Sequence, residues 1–230
     1  MRLRIDGIWT GLAWGGAFSG RPAIQLVLKD VSRKDQDSEK ALSLSIESLA
    51  RILRSPANRL NMIQVHAAKL DTRGRVVEVR DPLSQVTVYP FITHMLESLD
   101  LRLSVHVNNQ TDISLLDPRA NTILIPSPPS SGNESQNYWA NLNYLSEDGE
   151  ILFVLNAEED YRWMKSVLNE LNLANRFLVH MTTGKTRIPQ SVWAKRLIKD
   201  SVPVQYLPPI PFTAIPLKID KPEQQSRYPK

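Results

Sequence analysis

The sequence predicts an α/β protein built as a partial (β/α) barrel, with parallel strands joined by crossover helices. Three observations lead there. Seven short apolar runs recur along the 230 residues. Stretches of helical period lie between several of them, so strand and helix alternate. The chain is long enough for one domain with a sizeable core, yet short for eight complete βα units.

Taken in order, Pro22 to Leu28 has the density of a buried strand and is followed by a charged connector, Asp30 to Lys40. Ser38 to Leu53 predicts a helix, with Ser38 as N-cap and Leu42, Ile46, Leu49 and Leu53 on one face. Met62 to Val65 is the second strand; Phe91, Met95 and Leu99 mark the next helical stripe. Strands are expected at Leu101 to Val107, Thr122 to Ile125 and Ile151 to Leu155, with an irregular loop at Pro126 to Asn137. Ala157 to Leu171 reads as a helix whose opening Glu158-Glu159-Asp160 favours the positive end of its dipole. Arg176 to His180 and Val202 to Leu207 are the last strands, separated by a helix that begins at Pro189 and carries Val192, Trp193 and Leu197. Residues 1–207 therefore read as the barrel and 208–230 as a proline-rich arm with a disordered tip.

Composition narrows the chemistry. The formal charge of +4, from 28 basic and 24 acidic residues, is mild and spread along the chain, so nucleic acid is not indicated. With no cysteine, disulfides, thiolate catalysis, cysteine-held zinc and thiolate-held clusters are all excluded. The histidines His66, His94, His106 and His180 show no compact ligand spacing, and no metal is expected. No apolar run approaches the ~18–20 residues of a membrane span, and the charged start Met1 to Asp6 does not read as a signal peptide, so the expected location is cytoplasmic.

Three phrases carry a resemblance. Ile8 to Ala23 (Ile-Trp-Thr-Gly-Leu-Ala-Trp-Gly-Gly-Ala-Phe-Ser-Gly-Arg-Pro-Ala) is similar to the opening of the 7-carboxy-7-deazaguanine synthases, radical-SAM enzymes. Pro126 to Gly132 resembles that family's Ser-Pro-Lys-Pro-Pro-Ser-Ser-Gly, and Ile151 to Trp163 resembles its Ile-Lys-Phe-Val-Val-x-x-x-Glu-Asp-Tyr-x-Trp. The resemblance implies a homodimeric partial barrel of the radical-SAM type. It also implies a [4Fe–4S] cluster, S-adenosylmethionine and Mg²⁺, used to contract a carboxylated tetrahydropterin on the route to queuosine.

The departures fall on the chemical parts. The charged connector stands where the family has its three cluster cysteines, and His66-Ala67-Ala68-Lys69 stands near its Gly-Gly-Glu-Pro. The family's Glu-Thr-Asn-Gly-Thr becomes His106-Val107-Asn108-Asn109-Gln110-Thr111, and its Gln-Gly-Glu-Gly becomes Ala13-Trp14-Gly15-Gly16. Ser127 replaces the lysine of the proline-rich loop, and Tyr206-Leu207-Pro208-Pro209 replaces a late His-Lys.

The expectation is a pseudoenzyme without an iron–sulfur cluster or S-adenosylmethionine, acting as a binding or scaffold subunit, as a homodimer or with a protein partner. One alternative is a sensor of a pterin, deazapurine or nucleotide in the vestigial pocket; another is an enzyme with new histidine chemistry. Candidate pocket residues are Trp14, Gly15, Gly16, His66, His106, Asn108 and Ser127, with Asn109 beside them. Trp14 reads as filling vacated volume in preference to stacking on a base. Ser130 and Ser131 have no nucleophile elbow, and Gly184-Lys185-Thr186 lacks the first glycine of a phosphate loop and reads as a turn.

Overall fold

The structure is a computed structural model and describes residues 2–31, 42–53, 60, 62–71, 73, 75–98, 102–209 and 215–216. Its strands are β1 (Arg2–Leu12), β2 (Pro22–Leu28), β3 (Leu42–Ser45), β4 (Met62–His66), β5 (Lys69–Leu70), β6 (Val76–Glu78), β7 (Arg102–Asn108), β8 (Asn121–Ile125), β9 (Glu150–Leu155), β10 (Leu178–Thr183), β11 (Gln205–Tyr206) and β12 (Ile215–Pro216). Four α-helices accompany them: α1 (Ile46–Leu53), α2 (Val88–Ser98), α3 (Glu158–Glu170) and α4 (Gln190–Lys199).

One 10-stranded sheet runs β11-β10-β9-β8-β7-β4-β2-β1-β12, with β3 also on β1; β5 and β6 form a separate hairpin. From β2 through β4, β7, β8, β9 and β10 to β11, every pairing is parallel, whereas β1 is antiparallel to β2, β3 and β12. The seven parallel strands correspond one for one to the seven apolar runs. The fold is thus the expected mostly parallel α/β sheet with crossover helices.

Alternation along the strands sorts the side chains onto two faces. Ile24, Leu26, Ile63, Val65, Leu103 and Val105 pack with Leu49 of α1 and Phe91 and Ile92 of α2. Ile151, Phe153, Val179 and Met181 pack in the same way with Met164 of α3 and Trp193 of α4. The intervening residues Gln25, Gln64, His66, Ser104, His106, Glu150 and His180 face the other side, and all are buried. Parallel strands buried on both faces usually read as unbroken apolar runs. Here one face is a polar layer, and that layer creates the site.

Several boundaries differ from expectation. The predicted helix from Ser38 starts at Ile46, because Leu42 to Ser45 pairs with β1 through Arg2↔Ser45 and Ile5↔Leu42. The Ser45 hydroxyl accepts from the Ser48 N–H at 3.0 Å, so Ser45 starts this helix. Ser38, the rest of the connector at 32–41, and Leu99 and Leu101 lie outside the described residues. β1 was not anticipated; Arg2, Leu3, Arg4 and Ile5 alternate exposed and buried, a half-buried pattern hidden among charges. Pro189 precedes α4 in extended geometry and is its N-cap, not its first residue. Of the arm, Ile215 and Pro216 pair with Thr10 and Trp9, while 210–214 and 217–230, including the tip, lie outside the described residues.

Gln85 bonds β1 to the turn ahead of α2. Its carboxamide accepts from Arg4 N–H at 2.7 Å and donates to the Arg4 and Lys29 carbonyls, both at 2.7 Å. It is buried, so truncation strands backbone groups away from water. Gln85→Ala should destabilise the protein by about 2–4 kcal/mol in urea unfolding, whereas a loss under about 0.5 kcal/mol would show that water replaces all three bonds.

Candidate functional site

The loop from Ala13 to Arg21 leaves β1 and turns inward against the polar face. Its path requires glycine at two positions: Gly15 and Gly16 have φ of +67° and +66°, a conformation that L side chains rarely adopt. A Cβ on Gly15 would come within 2.6 Å of Leu152 Cδ2, and one on Gly16 would meet Ile123. The glycines thus bring the backbone close to β8 and β9 and deliver Trp14 into the interior, where it is 4% exposed.

Trp14 packs with Ile123, Ile125, Leu152, Val154 and Leu207. Its ring centroid lies 4.3 Å from that of His106 and 5.5 Å from that of His66, both edge-on. Gln64 holds it from the sheet: Oε1 accepts from Trp14 N–H at 3.1 Å, and Nε2 donates to the Trp14 carbonyl at 2.9 Å. That double bond fixes the amide orientation, so the 2.8 Å contact from Gln64 Nε2 to His106 Nε2 makes the imidazole nitrogen an acceptor. The His106 proton then sits on Nδ1, which has no partner among the described residues.

A second glutamine sets the other histidine. Gln25 Nε2 donates to the Leu12 carbonyl at 2.9 Å, leaving Oε1 to accept from His66 Nε2–H at 3.0 Å. Burial pushes the His66 imidazole down to about 4, against an opposing pull from the Ala68 backbone. Burial also holds His106 well below its usual value, with His66 adding to the effect. Both rings are therefore neutral at pH 7. At the start of β9, Glu150 Oε2 accepts from His180 Nε2 and from Ala17 N–H, each at 2.6 Å, and Oε1 accepts from Asn121 at 3.1 Å.

The structure brings Trp14, Gly15, Gly16, His66 and His106 into one cluster. It does not bring Asn108 or Ser127 into it. Asn108 ends β7, where its Oδ1 accepts from Gln110 N–H and the Thr111 hydroxyl, each at 3.3 Å. Ser127 accepts from Gln110 Nε2 at 2.9 Å and lines a separate cleft of 430 Å³ at the carboxyl ends of the strands, with Gln110, Ser130, Asn156 and Lys185. Asn109 is buried and bonded to Asn141. Ser130 donates to the buried Asp160 carboxylate at 2.7 Å, which also accepts from Asn156 and Ala157 N–H and so shapes the cleft wall.

Sequence reasoning missed Gln25, Gln64 and Glu150, and noted His180 without a role. Their signal was present: Ile24-Gln25-Leu26 and Ile63-Gln64-Val65 each place one polar residue inside a buried run.

No protein-family model matches the sequence, and no curated protein matches it. A solved structure does: that of QueE from Escherichia coli, a 7-carboxy-7-deazaguanine synthase, with a TM-score of 0.67 at 12% identity, covering 90% of this chain and 94% of that one. The chain has that radical-SAM fold. The sequence resemblance implies an iron–sulfur cluster and S-adenosylmethionine, and the residues do not fit the cluster. There is no thiolate in the whole sequence, and no group of three metal-ligating side chains stands together among the described residues.

The buried histidines give a pH signature. An unfolded histidine takes up its proton near 6.5, whereas folded His66 resists until about 4. Between those values the unfolded chain binds more protons, so stability is full above pH 6.5 and falls as pH drops toward 4. The loss from His66 alone should approach roughly 3 kcal/mol. Urea unfolding of His66→Gln should show a shallower decline over that window than the parent; equal slopes would refute a buried neutral His66.

Proposed function

We propose that this chain is a non-catalytic protein of radical-SAM fold that serves as a binding or scaffold subunit, in the cytoplasm and as a homodimer or with a protein partner. The observation that carries the reading is Trp14, buried in the interior of a chain without cysteine and fastened by Gln64 on both its backbone N–H and its carbonyl. An interior filled by the protein's own indole has no room there for a reacting substrate. New histidine chemistry has little support, because His66 and His106 are enclosed and bonded to glutamines.

A second reading, a sensor of a pterin, deazapurine or nucleotide, is favoured by the cleft beside Ser127. Its 430 Å³ lies within the usual range for small-molecule sites, and its wall offers the Gln110 and Asn156 amides and the Lys185 ammonium. Flat heterocycles with amide edges suit such a wall.

Anaerobic reconstitution with iron and sulfide should leave the protein colourless, and S-adenosylmethionine should not raise its melting temperature. Uptake of a cluster would overturn the non-catalytic reading. A deazaguanine or pterin at a hundred times its Kd would add about 2.7 kcal/mol and raise the midpoint by several degrees. Such a shift, abolished by Asn156→Ala, would select the sensor reading over the scaffold.

A further inference from the structure

The opposite end of the sheet carries a larger cleft, of 590 Å³, at the amino ends of β7, β8, β9 and β10. Its apolar wall is made by Phe18, Leu96, Leu103 and Leu178. Its charged groups divide into those already compensated and those that are not. Arg119 is held by Asp117 at 2.7 Å and reaches Glu97 at 3.9 Å, and Glu150 is held by His180. Among the described residues Arg102 has no carboxylate within ion-pairing distance; its guanidinium lies 5.6 Å from the centroid of the Phe18 ring, which Arg21 also approaches at 5.5 Å.

On the far wall, in the turn before β9, Glu147 and Asp148 line the same cleft, and neither pairs with a cation among the described residues. One cation and two anions therefore share a single concavity without meeting one another. Asn121, at the start of β8 between them, has a buried Oδ1 without a hydrogen bond among the described residues. A ligand of one charge would satisfy one wall and be repelled by the other. A ligand with both charges and an apolar body satisfies both.

We propose that this cleft binds a small zwitterion of the amino-acid class. Its carboxylate lies at Arg102, its ammonium at Asp148, and its apolar side chain lies against Leu96, Leu103 and Leu178. A guanidinium presents paired N–H donors suited to a carboxylate, and the Phe18 face beneath Arg102 leaves those in-plane donors free. The site is independent of the pseudoenzyme reading, since it lies at the end of the sheet opposite the Ser127 cleft.

Isothermal titration calorimetry of the full chain tests it with three probes: L-phenylalanine, L-phenylalaninamide, which lacks the carboxylate, and N-acetyl-L-phenylalanine, which lacks the ammonium. Phenylalanine should bind saturably, and each derivative about tenfold or more weaker. Arg102→Gln should weaken phenylalanine about tenfold yet leave phenylalaninamide unchanged; Asp148→Asn should do the same with respect to the N-acetyl derivative. Both side chains are exposed, so the variants should keep the parent's melting temperature, which is checked alongside. Absence of saturable phenylalanine binding, equal binding of all three probes, or binding indifferent to both substitutions would each overturn the proposal.

Discussion

A buried carboxamide left without partners costs free energy that a domain of this size does not have to spare, and the inner face of this sheet buries two of them, with three imidazoles alongside. The contact that resolves this is between Gln64 and the backbone of Trp14. One side chain satisfies an N–H and a carbonyl of an inward-turning loop, and the same nitrogen bonds His106. Gln25 repeats the logic between Leu12 and His66. Given these bonds, the loop after β1 has one position, and Gly15 and Gly16 are what allow the chain to reach it. The indole then fills the space that the polar layer surrounds.

This arrangement gives the two faces of the sheet different demands. Its outward face is ordinary: aliphatic side chains against four amphipathic helices, indifferent to what the interior does. Its inward face is specific, because each polar atom must find a partner. Trp14 Nε1, Ser104 Oγ and His106 Nδ1 find none among the described residues, so the fit of the plug is incomplete at those atoms.

The parallel strands were legible because their signal is redundant: a run such as Ile151 to Leu155 is apolar at every position and tolerates an error of one residue. β1 was not, because Arg2 and Arg4 on its exposed face dilute the apolar density that marked the others. The helix at Ser38 was misread because Leu42 and Ile46 fit a helical stripe equally well, and only the unpaired edge of β1 makes Leu42 to Ser45 a strand. In the site, Trp14, His66 and His106 stood out by residue type, but their mutual contact depends on a loop crossing to a strand 50 residues away, which no local pattern encodes. Asn108 and Ser127 were grouped with them by position at strand ends. The structure separates them because Asn108 is occupied by its own turn and Ser127 by Gln110.

The two ends of the sheet differ for a reason that follows from the plug. Trp14 fills the interior, and the carboxyl-end and amino-end clefts are separate surface features. The carboxyl end has an amide-lined wall with one ammonium, Lys185, and one carboxylate, Glu78. At the amino end, Phe18 follows the same glycine turn that positions Trp14, and Ala17 N–H ties that turn to Glu150. The segment that fills the interior therefore also builds a wall of the amino-end cleft. One loop thus fills the interior with a tryptophan on one side and frames an exterior cleft on the other, and two glycines of positive φ let the backbone do both.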